Sequence, residues 1–176
     1  SVVDSDNSSP FELILINDAS PEPELVTFIE EFAREHPEVS LLHNAKNLGF
    51  VSTVNRGMEL HPERDVLLLN SDTEVANDWL DRIIACGNSA EDIATVTPFS
   101  NHATICSFPE FPLVNELPPG QTTGSLDLVF KAGNSGRHVD IPTGVGFCMW
   151  ISRAALDEVG LFDAESFPRG YGEEND

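Results

Sequence analysis

Apolar residues come in blocks whose period changes along the chain. Short, nearly continuous apolar runs occur at residues 12–16 (Glu12-Leu13-Ile14-Leu15-Ile16), 39–43 and 65–70. Such runs read as strands buried on both faces, as in a parallel sheet. Helical spacing lies between them. Leu25, Phe28, Ile29 and Phe32 mark a helix over 24–36, entered past Pro21 and Pro23 and closed by Pro37. Phe50, Val54 and Met58 share one helical face up to about residue 60, and Trp79, Leu80, Ile83 and Ile84 mark a helix from about Asn77. A further short strand is expected at 93–97. This alternation implies an α/β fold, a mostly parallel sheet with helices on its faces.

The pattern weakens after Pro98. Residues 98–124 carry Pro98, Pro109, Pro112, Pro118 and Pro119 with little periodicity. A long irregular segment inside a compact domain is usually functional or mobile. Regularity returns with a helix near 125–132, strands at 139–142 and 147–151, and a short helix capped by Ser152 and ended by Gly160. We expect one domain over 1–176, with the change of pattern dividing it into halves at 1–97 and 98–176.

Polar clusters follow two of the apolar runs. Asn17-Asp18-Ala19-Ser20 follows the first, and Asn70-Ser71-Asp72-Thr73 follows Val66-Leu67-Leu68-Leu69. Ligands of open α/β sheets sit beyond the carboxyl ends of the strands. If the strands are parallel, Asp18 and Asp72 reach the same sheet edge. Each also suits a turn or cap, with Asn17 and Ser20 as turn formers beside Asp18. Between them, Asn47-Leu48-Gly49 reads either as a tight turn or as backbone made to approach a ligand closely. It opens a helix carrying Ser52, Asn55 and Arg56, and a helix N-terminus favours phosphate.

Taken in order, "INDAS", "NLGFVSTVNRGME", "LLLNSDTEV…WLD", "PTGVGFCMWISRAALDEVGLFD" and "GYGEEND" resemble glycosyltransferase family 2 over nearly the whole chain. The resemblance implies a GT-A fold, a nucleotide-diphospho-sugar donor, inversion at the anomeric carbon, a nucleotide-binding half at 1–97 and an acceptor and catalytic half at 98–176. By the same resemblance, Asp18 would accept the imide N–H of uracil or thymine, for which only an acceptor serves. Asn47, Gly49 and Asn55 would border the nucleotide, with Lys46 a further phosphate contact. Asn70-Ser71-Asp72 would stand at the acidic "DxD" signature, with Asn70 in place of the usual first Asp. Asp72 would then be the metal ligand for Mg2+ or Mn2+, completed by waters and substrate phosphates. Asn70 would offer a neutral carbonyl or a ribose contact. Thr143, Gly144 and Gly146 would line the donor-sugar and acceptor site, although the same glycines could serve a bulge. Glu174 would be the general base, with Glu173 the alternative one position away.

The resemblance also marks departures. Relatives open with an apolar strand ending in a "PVYN"-like segment, then a helix. Ser1-Val2-Val3-Asp4 looks like the end of that helix, and "GYGEEND" continues further in relatives. We therefore read the chain as a piece cut at both ends, and expect it alone to be at most a weak enzyme.

Composition narrows the classes. With 176 residues, 40% of them hydrophobic, one sizeable core can be buried. Nine basic against 30 acidic residues give a formal charge of −21, which argues against nucleic acid and against an anionic membrane surface. An acidic chain can bind a diphosphate where a divalent cation screens it. Cys86, Cys106 and Cys148 have no metal-ligand spacing, and three scattered thiols suit a reduced, cytoplasmic setting, possible at the membrane periphery in a longer protein. The expected partners are the nucleotide-diphospho-sugar and a glycan or lipid-linked acceptor, in polysaccharide or cell-surface glycan synthesis. The alternatives are a sugar-nucleotide nucleotidyltransferase and a non-catalytic nucleotide- or glycan-binding piece. No G-x-G-x-x-G follows either early strand, so a dinucleotide oxidoreductase is disfavoured.

Overall fold

The structure, a computed structural model, describes residues 1–167 and 172–175. The chain forms two compact units, each built from two stretches: Ser1–Ser9 with Glu63–Gly160, and Pro10–Pro62 with Leu161–Asp176. These units follow packing, and residues on both sides of the expected 97/98 line belong to the first of them.

The second unit holds β1 (Leu13–Asn17), α1 (Pro23–Glu35), β2 (Val39–His43) and α2 (Phe50–Met58). Strands β1 and β2 pair in parallel, Leu13 opposite Val39 and Asn17 opposite His43. Pro23 stands at the first position of α1, where its missing N–H costs nothing, and the helix ends before Pro37. Gly57 lets α2 lie close to β1, since a Cβ there would come within 3.3 Å of Ile16 Cδ1. Val51 and Met58 are the buried side chains of α2.

The first unit holds β3 (Val66–Leu69), α3 (Trp79–Gly87), β4 (Thr95–Val96), α4 (Thr123–Asn134), β5 (Cys148–Ile151) and α5 (Arg153–Val159). Its sheet order is β3-β5-β4, with both pairings antiparallel to β5. β3 and β4 therefore run parallel to one another, and β5 is inserted against them. The α/β class is met, with parallel pairing in one unit and an antiparallel central strand in the other. All four residues of β5 are buried, as a central strand requires. Trp79, Leu80 and Ile83 of α3 pack on Cys148 and Trp150 of β5, with Leu67, Leu69, Ile93 and Val96 against them.

Gly87 has a specific cause. A Cβ there would lie 2.5 Å from the Trp150 indole. In an open helix, Gly→Ala would stabilise by about 1 kcal/mol. Here the indole is buried and cannot yield, so Gly87→Ala should destabilise by about 1–3 kcal/mol through overpacking. Urea unfolding measures this, and a stabilised variant would show that the contact does not constrain the helix.

Three expectations need correction. Asp18 and Asp72 do not share one sheet edge, because β1 pairs only with β2 while β3 belongs to the separate β3-β5-β4 sheet. Residues 1–9 are not the end of a helix; they form turns wrapped on α3. The run Asp4-Ser5-Asp6-Asn7-Ser8-Ser9 is rich in side chains that bond backbone, and it spends them on α3. Asn7 Oδ1 accepts from Leu80 N at 2.9 Å, capping a helix whose own N-cap, Asp78, makes no capping bond. Asp81 in turn accepts from the Ser8 and Ser9 backbone at 2.7 and 2.8 Å, which holds its carboxyl well below the usual range. The strand expected at 139–142 does not form either. Val139 is 72% exposed there, and Pro142 has no N–H for a ladder.

Candidate functional site

In the second unit, the β1–β2 register sets the two strand ends side by side, so Asp18 and Asn44 follow paired residues. Asp18 Oδ1 accepts from Asn44 Nδ2 at 2.7 Å and from Leu48 N at 2.8 Å, and Oδ2 accepts from Gly49 N at 2.9 Å. The carboxylate thus closes the 44–49 loop. With the Thr53 hydroxyl as a fourth donor, its roughly four lone-pair positions are matched within the protein. Burial pushes its pKa up, but the donors Leu48, Asn44, Gly49 and Thr53 together outweigh burial and hold it below the ordinary aspartate value. Asn47 joins the same loop, donating to Asp18 O at 3.3 Å and accepting from Gly49 N at 3.1 Å. Gly49 has φ +83°, which favours glycine at the start of α2. Asn17 forms the expected Asx turn, accepting from Ser20 N at 2.8 Å.

Arg56 is placed otherwise than its phosphate reading requires. It sits in the last turn of α2 and donates to His43 O at 2.9 Å and to Asn44 Oδ1. It therefore braces the residue that braces Asp18. Asn44 and Thr53, joined at 3.0 Å, were not singled out from sequence; only the strand register reveals them.

The depressed pKa carries a sign. A carboxyl with its folded pKa below its unfolded one contributes stability that is present above the unfolded value. That contribution is lost as pH falls through the folded value. Asp18→Asn should therefore lower stability by about 1–3 kcal/mol at neutral pH, since donors are left unpaired. It should also flatten the acid limb of the stability profile. Urea titrations across the acid range check both effects, and an unchanged acid limb would contradict the loop-closing role.

In the first unit, β3 and β4 end, and β5 begins, at one sheet edge, because Leu69 faces Cys148 and Val96 faces Trp150. Asn70 N donates to Phe147 O at 2.8 Å, and Thr73 N to Asn70 O at 3.0 Å, forming a turn. Asn70, Ser71 and Asp72 are exposed on it. The Asp72 carboxylate has no side-chain partner among the described residues. Gly144 is explained by packing, since a Cβ there would lie 2.4 Å from buried Met149 Sδ. Gly146 differs, with nothing within 4 Å of its Cβ position. Thr143 Oγ1 turns back to Gly144 O at 3.2 Å. Val145 N donates to Thr97 Oγ1 at 3.1 Å, which ties this stretch to the end of β4.

Asn55 and the two glutamates belong to the second unit. The Asn55 amide is committed to backbone, donating to Phe162 O at 2.7 Å and accepting from Phe162 N at 3.2 Å. Its place is thus in anchoring residues 161–167. Asp163 then turns the chain, accepting from Glu165 N and Ser166 N at 2.9 and 3.0 Å. Glu173–Asn175 is a short 3-10 turn. Glu174 is half-buried, and its Oε2 accepts from Gly172 N at 3.1 Å. Glu173 is only 6% exposed, and its Oε2 has no hydrogen-bond partner among the described residues. Gly170, Tyr171 and Asp176 of the same motif lie outside the described residues.

Among the described residues, no group of three or more His, Cys, Asp or Glu side chains gathers as a metal cage. Asp72 supplies one exposed hard-oxygen donor, with the Asn70 carbonyl two positions away. That donor set suits Mg2+ or Mn2+ shared with a substrate's phosphates rather than caged by protein. The three cysteines are free, and burial raises all three thiol pKa values, that of Cys148 to about 12. None is an activated nucleophile. Among the described residues no helix is long and apolar enough to cross a membrane.

An α/β chain of mixed pairing, with an N-S-D turn at the end of an apolar strand, has the GT-A fold of nucleotide-sugar glycosyltransferases. The chain belongs to glycosyl transferase family 2, whose family model matches residues 1–160. The chain is also similar in fold to a solved structure described as GalNAc-T7 with UDP, GalNAc and Mn2+ (TM-score 0.61, 18% identity). That match covers 99% of this chain and 35% of the other, so the chain spans about a third of that protein's length. Among curated proteins, none matches.

Proposed function

We propose that the chain carries the donor-binding and catalytic elements of an inverting glycosyltransferase. It would move a sugar from a nucleotide diphosphate to a hydroxyl of a glycan or lipid-linked acceptor, in polysaccharide or cell-surface glycan synthesis at the cytoplasmic side of a membrane. The observation that carries this reading is the exposed Asn70-Ser71-Asp72 turn at the end of β3, in a chain of this family.

Asp18 accepts the imide N–H of the base in place of one of its four present donors. Asn70 offers its carbonyl to ribose, and Asp72 would hold the Mg2+ or Mn2+ shared with the diphosphate. When bound, that cation supplies neutralising charge for the leaving diphosphate. Glu174 takes the proton of the acceptor hydroxyl as the acceptor oxygen bonds to the anomeric carbon. The bond from that carbon to the diphosphate oxygen breaks, and the nucleotide diphosphate leaves with the electron pair. A single displacement of this kind inverts the anomeric centre.

The test is stereochemical. Proton NMR of the anomeric signal is recorded for donor and for first-formed product, over a panel of UDP-, dTDP- and GDP-sugars with Mn2+. Opposite anomeric configurations are expected. A product of retained configuration would overturn the single displacement and the role of Glu174.

A further inference from the structure

The irregular segment after β4 is more tightly built than its composition suggests. Ser100 N bonds Cys106 O at 3.1 Å, and Phe108 N bonds Ser100 O at 2.9 Å. Asn101 and Asn115 clasp each other's backbone, and the Asn115 amide also reaches Glu110 O and Leu113 O at 3.1 and 3.0 Å. Thr104 sits at φ +45°, a strained conformation for a β-branched residue that persists only where its surroundings over-determine it. All this order holds apolar side chains toward solvent. Phe99 is 56% and Phe108 47% exposed. They meet Phe130 of α4 with ring centroids 5.8 and 4.6 Å away, and each other at 6.3 Å. Phe130 is equally fixed. α4 starts with a Thr122–Ser125 capping box and is tied to α3 by Arg82–Asp127 and Lys131–Asp78 pairs, both at 2.5 Å.

The cluster grows from the sheet edge that carries Asp72. Phe99 lies two residues beyond Thr97, whose hydroxyl holds Val145, and Phe147 in turn holds Asn70. Resting on the transferase reading above, we propose that the exposed rings of Phe99 and Phe108, propped edge-on by Phe130, form the surface on which a neutral sugar residue of the acceptor stacks. Aromatic faces carry negative quadrupole density, and the C–H face of a sugar ring is apolar and slightly positive, so the two match without any charge. The charge of the chain disfavours other occupants. At −21, a second copy would be repelled, and so would an anionic lipid surface. Glu110 and Glu116 in the same segment strengthen that repulsion. A neutral glycan incurs none of it.

The experiment uses an immobilised panel of chitohexaose, cellohexaose, mannohexaose and rhamno-oligosaccharides, with phosphatidylglycerol–phosphatidylethanolamine vesicles alongside. Thermal shift with UDP, dTDP and GDP plus Mn2+ is the control for the donor reading. The wild-type chain should hold at least one oligosaccharide and no vesicle. Phe99→Leu with Phe108→Leu, which keeps apolar bulk but removes the ring faces, should weaken that binding about tenfold, as two lost ring contacts imply. Its nucleotide shift should be unchanged. Should the double variant not fold, each single variant is read in the same way. Nucleotide binding with no sugar held, undiminished sugar binding by the leucine variants, or vesicle binding by the wild type would each overturn the proposal. Loss of the nucleotide shift in the wild type would instead remove the donor reading.

Discussion

Glu174→Gln should slow the chemical step by about 10²–10⁴-fold while leaving nucleotide affinity nearly unchanged. The substitution keeps shape and removes basicity, so a loss confined to turnover reports proton transfer. The comparison with Glu173→Gln gives the prediction its edge. Glu174 is half-buried, with one oxygen on Gly172 N at 3.1 Å, and keeps a second oxygen for an acceptor hydroxyl. Glu173 is only 6% exposed, which leaves an acceptor hydroxyl little access to its carboxyl. Glu173→Gln should therefore act mainly on stability and much less on the chemical step. Single-turnover rates for the two variants, beside their urea midpoints, decide the matter. Reversed effects would make Glu173 the base. If neither variant slowed transfer, the acidic segment would have no part in the chemistry.

Asp72→Asn should lower turnover by about two orders of magnitude or more, the scale expected when a charge that stabilises the transition state is lost. It should also weaken donor binding in Mn2+ more than without it. Stability should change little, because the side chain is exposed and unpartnered among the described residues. Donor titrations at several Mn2+ concentrations distinguish a lost ligand from a displaced turn. A ligand loss is partly recovered at high Mn2+, whereas a displaced turn is not. Unchanged activity at every concentration would remove Asp72 from the site.

Most elements were legible because their periodicity is strong. The apolar runs that became β1, β2, β3 and β5 could be read directly, as could the helices bounded by Pro37, Ser152 and Gly160. Strand direction was not legible. A run such as Cys148-Met149-Trp150-Ile151 reads as a buried strand whichever way its neighbours run, and here it lies antiparallel to both. The 139–142 run alternates correctly but finds no partner, and pairing is a tertiary matter that local pattern does not carry.

At the candidate site, residue type pointed to the right segments but not to the task of each side chain. Asn55 and Arg56 suggest ligand contacts by their chemistry, yet both are spent on backbone, at Phe162 and His43. Gly144 and Gly146 look alike in sequence, and only packing separates the glycine required by Met149 from the one that opens on free space. The irregular 98–124 segment gave no periodic signal, because its order comes from Asn and Ser side chains bonded to backbone elsewhere in the same segment.

The central claim is that this chain holds a nucleotide diphosphate with the help of a divalent cation, and thermal unfolding with UDP, dTDP or GDP, each with and without Mn2+, tests it most directly. At a nucleotide concentration about a hundredfold above its Kd, one of the three should raise the midpoint by about 5–10 °C in Mn2+. The shift should be clearly smaller in EDTA and in Asp72→Asn. An equal shift with and without Mn2+ would contradict the role of Asp72, and no shift with any nucleotide would contradict the account as a whole.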